Sequence, residues 1–170
     1  SFDNYDYIYA SRTVIKNQYY NKDVTSGYYG CDVWAEANKV LRPYLWRGMT
    51  LYYEIVGFLP NGGYIQKDYD YGCEQPTGKE YIEGKHFKIY IYRITTVNVD
   101  GKIHEWSAHE VQIWCKNNGL RPVTEFYYGY AKDLYPDLAP SEHWTENFLE
   151  RLANDKNFYM EMNSPECNNK

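Results

Sequence analysis

The chain has 170 residues, enough for one domain with a substantial core. Hydrophobic residues make up 44% and charged residues 24%, a balance that excludes a disordered or fibrous chain. The formal net charge of −5 excludes coating of nucleic acid by bulk attraction, which needs clustered Lys and Arg, and leaves room only for a local cationic site.

In chain order, the first residues have neither the basic start nor the apolar middle of a secretory signal, and no apolar run approaches a membrane span. Residues 5–15, dense in Tyr, Ile and Val, read as a strand, and the polar stretch 16–30 as a loop. From Asp32 the spacing of Val33, Trp34, Ala37, Val40 and Leu41 describes one helical face, which Pro43 stops soon after Arg42. Residues 49–59 alternate as a strand, with Leu51, Tyr53 and Ile55 on one face and Glu54 on the other. Pro60 to Gly63 reverses the chain, since Asn61-Gly62 tolerates positive φ, and a returning strand is expected over 64–67.

A polar loop over 68–84 leads into residues 87–99, the clearest strand in the sequence, ended by a turn at Asp100-Gly101. Ser107 with Glu110 forms a capping box for a helix through Val111, Ile113, Trp114 and Cys115 that Gly119 closes. A further strand is expected over 120–130, and Ser141 caps a helix carrying Trp144, Phe148, Leu149 and Leu152 on one side. The last residues, 163–170, are turn-like. Helices and strands interspersed without regular βαβ spacing predict a single α+β domain over 1–170, with an antiparallel sheet.

The sequence lacks a Gly-x-x-x-x-Gly-Lys phosphate loop, a Gly-x-Gly-x-x-Gly fingerprint and a His-Glu-x-x-His helix. His104 and His109 flank a helix start and suit surface or capping roles better than metal ligation. Cys31, Cys73, Cys115 and Cys167 are widely spaced, which argues against a zinc site and for free thiols in a reducing, cytoplasmic setting.

What remains is polar residues set into apolar strands. Glu54 loses solvation unless it faces a groove, a cation or a ligand hydroxyl, although the exposed face of a half-buried strand accommodates it equally well. Arg12 and Arg93 are the cationic counterparts on two other strands. Tyr90 or Tyr92 offers a ring to a nucleobase, or else packs against a neighbouring strand. With 21 Tyr in the chain, such rings also suit sugars, which keeps a non-catalytic module for a nucleotide, carbohydrate or protein as the alternative reading.

Residues 51–73, LYYEIVGFLPNGGYIQKDYDYGC, then FKIYIYRIT at 87–95 and the capped helix to Cys115, together resemble the ATP-dependent RNA ligase family. The resemblance implies an antiparallel-sheet nucleotidyltransferase (adenylyltransferase) fold and ATP and Mg2+ as cofactors. It also implies an activity that seals an RNA 3′-hydroxyl to a 5′-phosphate through AMP transfer from a lysine. By the same resemblance Glu54 engages the ribose, Tyr92 stacks on adenine, Arg12 contacts phosphate, and Gln66 and Lys67 lie near the pocket. The family's Lys-x-Asp/His-Gly nucleophile motif, its Glu-Gly strand and its Lys-x-Lys strand do not occur here. The expectation is therefore a nucleotidyltransferase-domain fragment lacking both ends, inactive alone, with ATP or AMP and RNA ends as partners of the intact enzyme. Its uncovered sheet edges are expected to favour homo-oligomers.

Overall fold

The computed structural model describes residues 7–12, 15, 32–154 and 165–168. The chain divides into two compact units, Ser1–Val123 and Thr124–Lys170.

In the first unit, α1 (Val33–Leu41) begins where the Asp32 side chain accepts the Ala35 N–H at 3.1 Å, satisfying one of the donors that a helix start leaves open. Pro43 does not break the helix abruptly. It sits in a 3₁₀ turn, Arg42–Tyr44, that carries the chain to the first strand. Strand β1 (Met49–Gly57) pairs antiparallel with β2 (Phe87–Val97), and β2 with β3 (Ile103–Glu105), in the order β1-β2-β3. The fold is thus α+β with an antiparallel sheet.

Both hairpin turns share one construction. After β1, Gly62 N–H donates to Leu59 O and Leu59 N–H to Gly63 O, closing a tight turn through Pro60 and Asn61 with Gly62 at φ 85°. Between β2 and β3, Gly101 N–H donates to Asn98 O and Asn98 N–H to Lys102 O, with Gly101 at φ 76°. Helix α2 (Ala108–Asn117) carries the full capping box of Ser107 and Glu110. It ends at Gly119, where Leu120 N–H reaches back to Cys115 O at 2.8 Å, satisfying a carbonyl the helix leaves open.

Three expected strands are shorter than the sequence suggested. The returning segment 64–67 pairs only at the Phe58–Tyr64 bridge, and the segment 5–15 only at Ala10–Ile15, with residues 5, 6, 13 and 14 outside the described set. The strand expected over 120–130 is a single parallel bridge of Pro122 to Ile91. The bridge is made by the residues on either side of Pro122, Ile91 N–H donating to Arg121 O at 2.8 Å and Val123 N–H to Ile91 O at 2.9 Å, and the pairing goes no further. Conversely, β3 lies where no element was expected, because three exposed residues carry no apolar alternation.

The core joins Val33, Ala37 and Leu41 of α1, Ile55 of β1, Phe87, Ile89, Ile91 and Ile94 of β2, and Val111 and Cys115 of α2. Each Val, Leu, Ile and Phe among them stabilises the fold by about 1.5–3 kcal/mol on burial. Burial also pushes the Cys115 thiol up to about 11, which leaves it an inert packing group at neutral pH.

In the second unit, α3 (Ala131–Leu134) and α4 (Trp144–Asn154) contain no buried residue. Ser141 was expected to cap α4, but its hydroxyl accepts the His143 N–H at 3.2 Å, in the turn ahead of the helix, rather than a helical N–H. This unit is held by surface rings and ions: Phe148 against Tyr135, Lys132 4.8 Å over Trp144, and Arg151 on Asp137 at 3.0 Å. Among the described residues no helix is long and apolar enough to cross a membrane.

Candidate functional site

The register of β1 against β2 decides which side chains share a face. Tyr52 pairs with Arg93 and Tyr53 with Ile91, so Tyr92 is an extra residue in a bulge. The apolar spacing calls for it: Ile89 and Ile91 point to the core two residues apart, but the next core residue is Ile94, three further on. One inserted residue restores the parity and leaves both Tyr92, 47% exposed, and Arg93 facing out.

Glu54 pairs with Tyr90, so it too stands on the outer face, diagonal to Tyr92 along the neighbouring strand. The Tyr52 ring lies on the same face, its centroid 6.4 Å from that of Tyr92. The Arg93 guanidinium rests 4.5 Å over the other part of this pair, the Tyr52 ring. Glu105 of β3 grips the same guanidinium with two hydrogen bonds, Nε to Oε1 at 2.5 Å and Nη2 to Oε2 at 2.6 Å. That pairing holds the Glu105 carboxyl below its ordinary range. Arg93 is thereby a brace for the aromatic wall, which a sequence reading of an isolated arginine could not reveal.

Gln66 and Lys67 sit at one end of this face. Gln66 Oε1 accepts from Tyr71 OH at 2.7 Å, and Tyr71 O in turn accepts from Lys88 Nζ, an outer-face residue of β2, at 2.6 Å. Lys67 is exposed in the turn that follows. Arg12 lies elsewhere. It is exposed in the bend between Ala10 and Ile15, and its neighbour Tyr9 donates to Asp32 Oδ2 at 3.4 Å beside α1. Tyr9 and Asp32 both act on Tyr53, whose side chain points to the core side of β1, opposite to Glu54. No described contact joins Arg12 to the other four residues.

Tyr53 gives this region a measurable signature. Burial, followed by the charge of Asp32 and then Tyr9, pushes its phenol up to about 12 from 10.0. A raised acid pKa contributes stability that is complete below pH 10 and is lost as the unfolded phenol ionises between pH 10 and 12. The wild type is expected to lose roughly 2–3 kcal/mol more over that window than Tyr53→Phe, in urea unfolding at stepped pH. Parallel pH curves for the two proteins would exclude a strained phenol at this position.

Chemically, the outer face offers a carboxylate, one exposed ring, one half-buried ring and a committed guanidinium. These suit the hydroxyls and base of a nucleoside. Arg93 is already paired with Glu105, so it is no free cation for a phosphate. Among the described residues no group of three or more His, Cys, Asp or Glu side chains is placed to hold a metal ion.

Two concavities lie apart from this face. One, of about 20 Å³, is lined by Leu41, Ile89, Ile91 and the ion pair of Arg121 with Glu83, and has room for little beyond a water. The other is an open groove of about 240 Å³ walled by Trp106, Glu110, Ile113, Trp114 and Asn117, of which the sequence marked only Glu110, Ile113 and Trp114, as parts of a capped helix. No protein-family model, curated protein or solved structure matches the chain.

Proposed function

We propose that the outer face of β1 and β2 is the nucleoside-contacting wall of an RNA ligase nucleotidyltransferase domain, with the adenosine of ATP or AMP as its ligand and RNA ends as substrates of the intact enzyme. The observation that carries this reading is that Glu54 and Tyr92, on separate strands, stand on one face, with the bulge turning Tyr92 outward. A carboxylate accepts from both hydroxyls of a ribose, and a tyrosine ring stacks on adenine with about 1–3 kcal/mol of affinity. The brace from Glu105 through Arg93 and Tyr52 holds the stacking surface in place before ligand arrives, which lowers the ordering cost of binding.

The reaction itself needs an activated lysine, and no Lys-x-Asp-Gly or Lys-x-His-Gly sequence occurs in the chain. Labelled ATP is therefore expected to leave no covalent adduct, while noncovalent AMP binding persists. In NMR titrations with AMP, Glu54→Ala and Tyr92→Ala are each expected to weaken binding about tenfold. The loss from Glu54→Ala should vanish with 2′-deoxy,3′-deoxy nucleotide, which lacks the hydroxyls that the carboxylate holds. Equal binding by the wild type and both variants would overturn the reading, as would absence of AMP binding to the wild type.

A further inference from the structure

We infer that the open groove on α2 is a binding site for an alkylated ammonium group, a ligand unrelated to the nucleoside wall. Its walls are built rather than incidental. The Trp106 and Trp114 rings meet at 89° with centroids 6.3 Å apart, forming a corner of two indole surfaces. Trp106 is fixed from behind by Trp46 at 6.1 Å and by its own indole N–H, which donates to Thr96 Oγ1 at 3.3 Å. Trp114 is fixed by the edge of Tyr44 at 6.5 Å. A corner assembled before ligand arrives costs little ordering on binding.

Glu110 supplies the charge. One of its oxygens, Oε2, accepts the Ser107 N–H at 2.7 Å and the Ser107 hydroxyl at 2.8 Å, so the carboxylate cannot swing away. Its other oxygen, Oε1, takes no hydrogen bond among the described residues. Ile113, 47% exposed, adds an apolar shelf, and Asn117 is the remaining polar wall.

The choice of ligand follows from what this lining can satisfy. A sugar brings several hydroxyls that each need a partner, and one carboxylate oxygen with one amide is too few. An anion is repelled by Glu110, and a neutral alkyl group gains nothing from it. A cation whose charge is spread over methyl groups suits every wall: it is drawn to indole faces, pairs with a fixed carboxylate and requires no hydrogen bonds. Such a group comes either from a free choline-like molecule or from a methylated lysine side chain, and the volume of about 240 Å³ admits both.

The test uses the whole chain, with indole fluorescence and the indole N–H resonances of Trp106 and Trp114 as readouts. Choline is expected to bind at least about tenfold more tightly than 3,3-dimethylbutan-1-ol, its neutral isostere, because only the charge differs. Glu110→Gln should weaken choline binding about tenfold at unchanged Tm, since Gln at the third helical position still completes the capping box. Trp114→Leu should abolish binding. If that variant does not fold, the isostere and Glu110→Gln comparisons decide alone. Equal affinity for choline and its isostere, or no effect of Glu110→Gln, overturns the inference. A trimethyllysine peptide that binds more tightly than choline, and than its unmethylated form, assigns the ligand to a protein tail. Choline binding at least as tightly as the peptide assigns it to a small molecule.

Discussion

Gly57→Ala is expected to destabilise the first unit by about 2–5 kcal/mol, the sum of a left-handed backbone forced on an L-residue and of overpacking. Gly57 closes β1 at φ 102°, where a Cβ would lie 2.7 Å from His86 O, 2.8 Å from Cys73 Sγ and 3.1 Å from the Phe87 Cα. Two of these three neighbours are backbone, and they belong to the last rung of the sheet. His86 O also accepts the Phe58 N–H at 2.9 Å, and Gly57 O accepts the Ile65 N–H at 2.9 Å, so neither strand can move without losing a hydrogen bond. Gly78→Ala is the control: its φ of 91° is similar, but nothing lies within 4 Å of a built Cβ. It is expected to cost only about 1 kcal/mol. Urea unfolding midpoints compare the two, and equal losses would show that the contacts at Gly57 do not matter.

Phe87→Ala is expected to cost about 3–5 kcal/mol, the range for truncating a buried aromatic and leaving a cavity. Phe87 is 1% exposed and pairs with Gly57 on that same rung. Its ring stacks on Tyr81 at a centroid distance of 4.5 Å, and Tyr81 OH donates to Phe58 O at 2.6 Å. Removing the ring therefore loosens the sheet end and the loop anchored by Tyr81 together. Phe87→Leu refills most of the space and should cost about 1–2 kcal/mol. Thermal unfolding of the two variants would show the difference, and a Phe87→Ala Tm within a degree of wild type would contradict the packing described for this residue.

Where the sequence was legible, the signal was local. The capping box of Ser107 and Glu110, the stop at Gly119, the helical face from Val33 to Leu41 and the turn at Asn61-Gly62 each lie within a few residues of one another, and each forms as expected. Where it failed, pairing was at fault. Residues 120–130 have strand-like composition, yet a ladder requires a partner along its length, and here only Pro122 finds one, opposite Ile91. The short β3 has the opposite character: exposed and unpatterned, it exists because the turn at Gly101 folds it back on β2.

The candidate site divides along the same line. Alternation along β1 by itself put Glu54 opposite Ile55, residue types by themselves marked Tyr92, Arg93 and Arg12 as chemically notable, and Gln66 and Lys67 came only with the family resemblance. Only the tertiary structure decided that a bulge turns Tyr92 to the same face as Glu54, that Glu105 occupies Arg93, that Arg12 is exposed in the bend between Ala10 and Ile15, and that two tryptophans meet at a corner beside Glu110. The reason is physical: caps and turns are short-range contacts between near neighbours in sequence, whereas register, bulges and clefts arise from contacts across the sheet, which have no local trace until the core sets the parity of each strand.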